Sequence, residues 1–221
     1  MIASIIASIL AVIIICIVAL KPGKEESPKD TRCGTFWGAS AAWRLSREKF
    51  WTEAPVNEWF NDLRLRASYA TIGNSALGSD YPYLGTYGAK LVGPMAGIAW
   101  NVMGNNNLKW ETTETFDIGL DGALFNNRMT FEIAYWQKNS KDLVLRVPTP
   151  PTMGIPNNYY YDNIGKIKNS GFELTVGGTI INTKDWNWHS DINFSTVKNT
   201  VKELYGGTDI IDNYTIIREG E

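Results

Sequence analysis

The sequence predicts an all-β fold: about six strands of an antiparallel transmembrane β-barrel, an incomplete barrel, preceded by a short apolar helix. Three observations carry this. Several stretches alternate apolar and polar residues with a period of two, and all of them share one parity. The connections between them run shorter, long, short, long, short, which is the asymmetry of barrels with short turns on one side of a membrane and long loops on the other. Tryptophans gather at the short connections, as an interfacial girdle requires.

The clearest element spans residues 113–138, TETFDIGLDGALFNNRMTFEIAYWQK. Phe116, Ile118, Leu120 and Leu124 share one face of its first arm, and Thr115, Asp117, Gly119 and Asp121 share the other. In the second arm Met129, Phe131, Ile133 and Tyr135 alternate with Arg128, Thr130 and Glu132. Asn126 and Asn127 lie between the arms, and Asn tolerates the positive φ of a two-residue hairpin turn. With Phe125 and Arg128 flanking that turn, Leu124 faces Met129, Gly122 faces Phe131, Leu120 faces Ile133 and Ile118 faces Tyr135. Both apolar sets then fall on one side, whereas a slip of one residue would separate them. Each arm holds about 11 alternating residues, close to the roughly 9–11 that a tilted strand needs to cross a bilayer.

Residues 1–20, MIASIIASILAVIIICIVAL, form an unbroken apolar run long enough to span a hydrocarbon core as a helix. It has no basic n-region and no small-x-small cleavage site, so it does not read as a signal peptide. Lys21, Lys24 and Lys29 follow it, and the positive-inside rule would leave the remainder cytoplasmic, in conflict with an outer-membrane barrel. Two readings therefore stand, a membrane helix or a mis-called start. Residues 21–33 are polar with two prolines, a linker; residues 34–221 form the partial barrel. Cys16 and Cys33 lack C-x-x-C spacing and are incidental.

In chain order, Thr35, Trp37, Ala39, Ala41, Trp43 and Leu45 alternate with Phe36, Gly38, Ser40, Ala42 and Arg44 as a first strand. Residues 46–61 hold a helical turn dense in Phe and Trp. A second strand places Leu63, Leu65, Ala67 and Tyr69 opposite Arg64, Arg66 and Ser68; arginines on a sheet face are costly in a soluble core and not in a water-filled lumen. Residues 73–111 show no sustained period and read as a long external loop. Asp142 to Arg146 extend the second arm of the hairpin, and residues 147–166 read as another long loop. Phe172, Leu174, Val176 and Ile180, then Trp186, Trp188, Ile192 and Phe194, form the last two strands around a short turn at residues 182–185. The expected lipid-facing set is Phe116, Ile118, Leu120, Leu124, Met129, Phe131, Ile133, Tyr135, Phe172, Leu174, Val176, Ile192 and Phe194.

A net charge of -2 with 20% charged residues excludes a polybasic nucleic-acid binder. No nucleophile, Rossmann, P-loop or zinc pattern is present, so no catalytic, cofactor or metal residues are assigned. His189, the only histidine, sits on a polar strand face. Asp121 and Glu132 fall opposite each other and resemble a glycosidase carboxylate pair, yet charges facing a lumen need no catalytic explanation. Loop aromatics Tyr81, Tyr83, Tyr87, Trp100, Tyr159, Tyr160 and Tyr161 are candidates for stacking on a sugar. The competing fold is a membrane-tethered surface β-sandwich that binds saccharides through these aromatics.

Three stretches carry a family resemblance: DLRLRASYATIGN (62–74), NNNLKWETTETFDIGLDGALFNNRMTFEIAYWQKNSKDLVL (105–145) and NIGKIKNSGFELTVGGTIINTKDWNW (163–188). In this order they resemble the carboxy-terminal barrel half of SusC/RagA-type TonB-linked outer-membrane proteins. The resemblance implies part of a barrel of about 22 strands, closed by an amino-terminal plug. It also implies import of bulky nutrients driven through TonB, a SusD-like surface lipoprotein as partner, and glycan or peptide substrates. No plug, TonB box or earlier strands accompany the match, and YTIIREGE resembles a motif that continues into further strands, so the chain reads as a fragment.

Overall fold

The computed structural model describes residues 18–20, 34–75, 83–155, 158–212 and 215–220. Its strands are β1 (Val18–Leu20), β2 (Gly34–Phe36), β3 (Gly38–Arg44), β4 (Phe60–Asn74), β5 (Thr86–Val92), β6 (Met95–Val102), β7 (Glu111–Leu124), β8 (Met129–Pro148), β9 (Tyr159–Asn182), β10 (Asn187–Glu203), β11 (Ile210–Asp212) and β12 (Thr215–Ile217). Six of them form one antiparallel sheet in the order β10-β9-β8-β7-β4-β3. They are the six strands expected from the alternation. β3 and β10 are the edges of an open sheet, so this is a barrel segment and not a closed barrel.

The register of β7 on β8 is the expected one, continuous from Leu124 opposite Met129 to Thr112 opposite Lys141. The turn between them has positive φ at Asn126 (57°) and Asn127 (62°), and also at Phe125 (54°). Phe125 is held there by its own N–H, which donates to Trp59 O at 2.9 Å, and by ring contact with Trp59 at 5.8 Å.

Pairing carries the two-residue period across all six strands. One row runs Trp43, Leu65, Leu120, Ile133, Leu174, Phe194; its neighbour on the opposite face runs Arg44, Arg64, Asp121, Glu132, Thr175, Asn193. Ile118, Tyr135 and Phe172 align in the next apolar row, and Phe131, Val176 and Ile192 in another. Among the described residues no second sheet covers this face; only the helical turn after β3 packs on its edge, through Phe50 on Trp43 and Trp51 on Phe60, while Ile118 is 39% exposed, Tyr135 41% and Ile192 68%. A sandwich would bury such a row against a second sheet. The single exposed layer rejects that alternative.

Glycines inside the strands make room for neighbours. A Cβ on Gly122 would lie 2.3 Å from the Phe131 ring that covers it, and one on Gly171 would lie 2.6 Å from the Trp136 indole. Covering a strand glycine with a cross-strand aromatic restores the packing that the missing side chain forfeits.

The connections within the sheet are residues 45–59, 75–110, 125–128, 149–158 and 183–186. The first holds the expected helical turn, Lys49–Thr52, between two 3-10 turns. Two expectations need correction. The stretch 73–111 is not structureless, because β5 and β6 form a hairpin within it, turning at Gly93 (φ 62°) before Pro94. Glycine and alanine on both strands hide its alternation. Likewise the expected loop 147–166 shrinks to residues 149–158, its two ends being strand: β8 is 20 residues long and β9 is 24, about twice what crosses a bilayer. Tyr159, Tyr160 and Tyr161 therefore lie on β9 and not in a loop.

Residues 18–20, the end of the run read as a helix, are extended and pair with β2, Val18 opposite Phe36. Branched residues such as Val favour extended backbone once a partner strand is available. Residues 1–17, the linker 21–33 and both cysteines lie outside the described residues. No described helix is long and apolar enough to cross a membrane.

Because Asn127 pays little for its left-handed backbone, Asn127→Gly should leave stability unchanged or slightly raised. Asn127→Val should cost about 1–2 kcal/mol. The urea midpoint of the protein folded in micelles reads both.

Candidate functional site

The polar face of the sheet carries an ion-pair network built by register. Arg66 on β4 stands opposite Gly119 on β7, and the missing side chain there admits its guanidinium; a Cβ on Gly119 would lie 2.7 Å from Arg66 Nε. From that position Arg66 donates to Asp117 Oδ1 at 3.0 Å, Asp121 Oδ1 at 3.3 Å and Glu132 Oε1 at 2.5 Å. One cation thus ties three strands, β4, β7 and β8. Arg64 donates from Nε and Nη2 to Asp121 Oδ2 at 2.9 and 2.6 Å. Arg44 and Arg64 face each other directly, and their repulsion is relieved because Arg44 donates to Asp62 Oδ2 at 2.6 Å.

Asp121 and Glu132 are opposite each other as expected, but both serve this network as acceptors from arginine. They are struts between strands and not a free acid/base pair. His189 Nε2 lies 3.2 Å from Asp191 Oδ1 and its Nδ1 lies 3.2 Å from Thr179 Oγ1, all on the exposed polar face. Among the described residues no cluster of His, Cys, Asp or Glu is placed to hold a metal ion.

At the end of the sheet away from the tight turns, a second network sews the segment before β7 to β8 and β9. Asn163 Oδ1 accepts from Lys109 N–H at 2.9 Å, and its Nδ2 donates to Lys109 O at 2.8 Å and to Asp142 O at 2.7 Å. Asp142 has positive φ (57°), at a bulge where β8 shifts register on β9. Asn105 Nδ2 donates to Tyr161 O and Asp162 Oδ1, both at 3.0 Å. Behind these bonds Leu108 is fully buried and Trp110 packs on Phe36 at 5.4 Å. The NNNLKW and NIG stretches are thus the two halves of one clasp. Sequence reasoning used them only as a resemblance, because side-chain to backbone bonds across more than fifty residues leave no periodic signal.

The candidate aromatics gather into two clusters on different sheets. Tyr87 and Trp100 face each other across β5 and β6, ring centroids 4.4 Å apart, and remain 60% and 40% exposed. Tyr159 and Tyr161 contact edge to face at 5.6 Å, with the Arg146 guanidinium 4.7 Å from one ring and 6.0 Å from the other. Tyr160 is half-buried, and its phenol is pushed above its usual range by burial first, then by Asp162 and Tyr205. Tyr83 is half-buried in the turn before β5. Tyr81 lies outside the described residues.

At the opposite end, exposed tryptophans cluster by the short connections: Trp59 60%, Trp186 75% and Trp188 56% exposed. Trp51, Phe60 and Phe131 stack edge to face beside them, at 6.1 and 6.5 Å.

A single twisted sheet with one apolar and one ionic face, short turns at one end and strands overrunning the other, defines a wall segment of an outer-membrane β-barrel. Comparison gives the family. The profile described as TonB dependent receptor-like, beta-barrel matches residues 25–216, and the chain belongs to that family. It is 33% identical over 205 residues to TonB-dependent receptor P26 of Formosa agariphila, covering 90% of this chain and 20% of that one. It is 30% identical over 194 residues to TonB-dependent receptor SusC of Bacteroides thetaiotaomicron, covering 85% and 19%. Among solved structures, the RagAB peptide importer in its closed-closed state superposes with a TM-score of 0.77 at 29% identity, over 88% of this chain and 21% of that one. The chain spans about a fifth of the length of the curated relatives it matches. Membership places it in the outer membrane, and members are transporters and not enzymes.

Asn163→Ala removes both halves of the clasp on Lys109 and leaves the Asp142 carbonyl without that donor. The expected cost is about 1–3 kcal/mol, confined to the end away from the tight turns. Hydrogen exchange should rise in residues 105–110 and 142–145, with residues 116–135 unchanged.

Proposed function

We propose that this chain forms a sector of the barrel wall of a TonB-dependent importer of bulky nutrients. Its apolar row faces lipid and its ionic row lines the lumen. The observation that carries the reading is the strict separation of the two rows across six registered strands. An uncovered row such as Leu120, Ile133 and Leu174 is stable only against an apolar solvent, and the Arg66 network only against water. The aromatic clusters sit at the end where the strands overrun the bilayer, so Tyr87 with Trp100, and Tyr159 with Tyr161 around Arg146, offer flat surfaces to an arriving ligand. The same ligand-contact role is assigned to Tyr83 and Tyr160, and from the sequence pattern alone to Tyr81.

The substrate class, glycan or peptide, and the partnership with a SusD-like surface lipoprotein and with TonB rest on the relatives. One is named SusC, and another is described as a peptide importer. The exposed apolar side of the β5–β6 hairpin, with Leu91 76% and Ile98 83% exposed, supports a contact role for that hairpin.

Cells expressing the gene that encodes this chain should carry the product in outer-membrane fractions with heat-modifiable gel mobility; a soluble product would overturn the reading. Face assignment has its own test. Ile133→Arg should destabilise the folded protein in vesicles by about 2–4 kcal/mol, whereas Thr175→Arg, one residue from its row on the polar face, should cost less than about 1 kcal/mol.

A further inference from the structure

We infer that the apolar face holds a specific site for an anionic phospholipid of the turn-side leaflet, the acyl chain lying over Gly178 and the phosphate on Arg128. This rests on the assignment of the apolar row to lipid.

The row nearest the tight turns runs Leu124, Met129, Gly178, Ser190. The rows farther along carry a large side chain on most strands, but here two neighbouring positions hold a glycine and a serine. A Cβ on Gly178 would meet nothing closer than Arg128 O at 3.4 Å, so the space above it is open and no neighbouring ring fills it. That distinguishes it from Gly122 and Gly171, which are covered by aromatic rings. The result is a groove of about 480 Å³, floored by Gly178 and walled by Met129, Val176, Ile192, Ile180 and Phe125. Those walls are apolar and stand uncovered, with Ile180 55% exposed and Phe125 45%.

Arg128, grouped by alternation with the polar residues Thr130 and Glu132, lies in the turn before β8 and lines this groove. Its Nη2 lies 3.4 Å from Ile180 O, and among the described residues it has no ion pair with a carboxylate. Arg44, Arg64 and Arg66 on β3 and β4, by contrast, each have a carboxylate partner. The groove opens at the level of Trp59, Trp186 and Trp188, where headgroups meet acyl chains. A cation at that level beside an apolar groove is complementary to a lipid whose negative charge sits at the top of its chain. A free phosphate would satisfy Arg128 alone and leave the groove unused.

The test reconstitutes the complete chain in phosphatidylethanolamine vesicles doped with phosphatidylglycerol bearing a photoreactive acyl chain. Labelled peptides are then mapped by mass spectrometry. Label concentrated on residues 125–129 and 176–192 is expected, and Gly178→Leu, which adds a side chain into open space, should abolish the enrichment. Arg128→Gln should lower labelling by phosphatidylglycerol about fivefold and leave that by a phosphatidylcholine probe unchanged. Even labelling of the apolar face, Ile133 and Leu174 included, and indifferent to both variants, would overturn the site while upholding the lipid-facing row. No label anywhere on the apolar face, neither at the groove nor at Ile133 and Leu174, would overturn both.

Discussion

The antiparallel hydrogen-bond ladder from β3 to β10 decides which side chains share a face, and every other property of the chain depends on it. A slip of one residue between any two strands would turn leucines toward arginines in every strand beyond the slip. The chain guards against this with features that work in one register only. Arg66 reaches three carboxylates because Gly119 stands opposite it; Phe131 covers Gly122; Trp136 covers Gly171 and donates to Glu173 at 2.8 Å. Each of these contacts is lost on a slip, so the side chains on both faces reinforce the pairing that the backbone alone would leave degenerate.

The two faces achieve this differently. On the apolar side, which we propose faces lipid, the penalty for misregister is solvation, since a charge moved into lipid costs several kcal/mol. On the ionic side it is the loss of partners for charges that are themselves half-exposed, and each such pair is worth about 1 kcal/mol or less. The apolar row therefore supplies the larger share of register energy, and the ion pairs supply direction, by choosing among placements that keep leucines on the right side.

How much was legible follows from the same physics. The β7–β8 hairpin could be read to the residue, since a two-residue period, a strong turn and two apolar rows leave one solution. The strands holding Arg64, Arg66 and Phe172 followed from parity alone. Alternation stops being informative where both faces meet water or carry small residues, and there the reading failed: β5 and β6, rich in Gly and Ala, read as loop, and so did the Tyr159 end of β9. The clasp of Asn105 and Asn163 was present only as a string of residues without a mechanism. An Asn that bonds backbone two strands away looks in sequence like any turn Asn.

The length of β8 and β9 has a mechanical consequence. At the end away from the tight turns the two strands stay paired as far as Pro148 and Tyr159, and Asn163 pins the neighbouring segment to them. A lid moves because its hinge is softer than its body; here the ladder breaks only at the bulge around Asp142, and Asn163 bonds the Asp142 carbonyl at that break. Strands paired to their tips in this way are built as a post rather than as a lid.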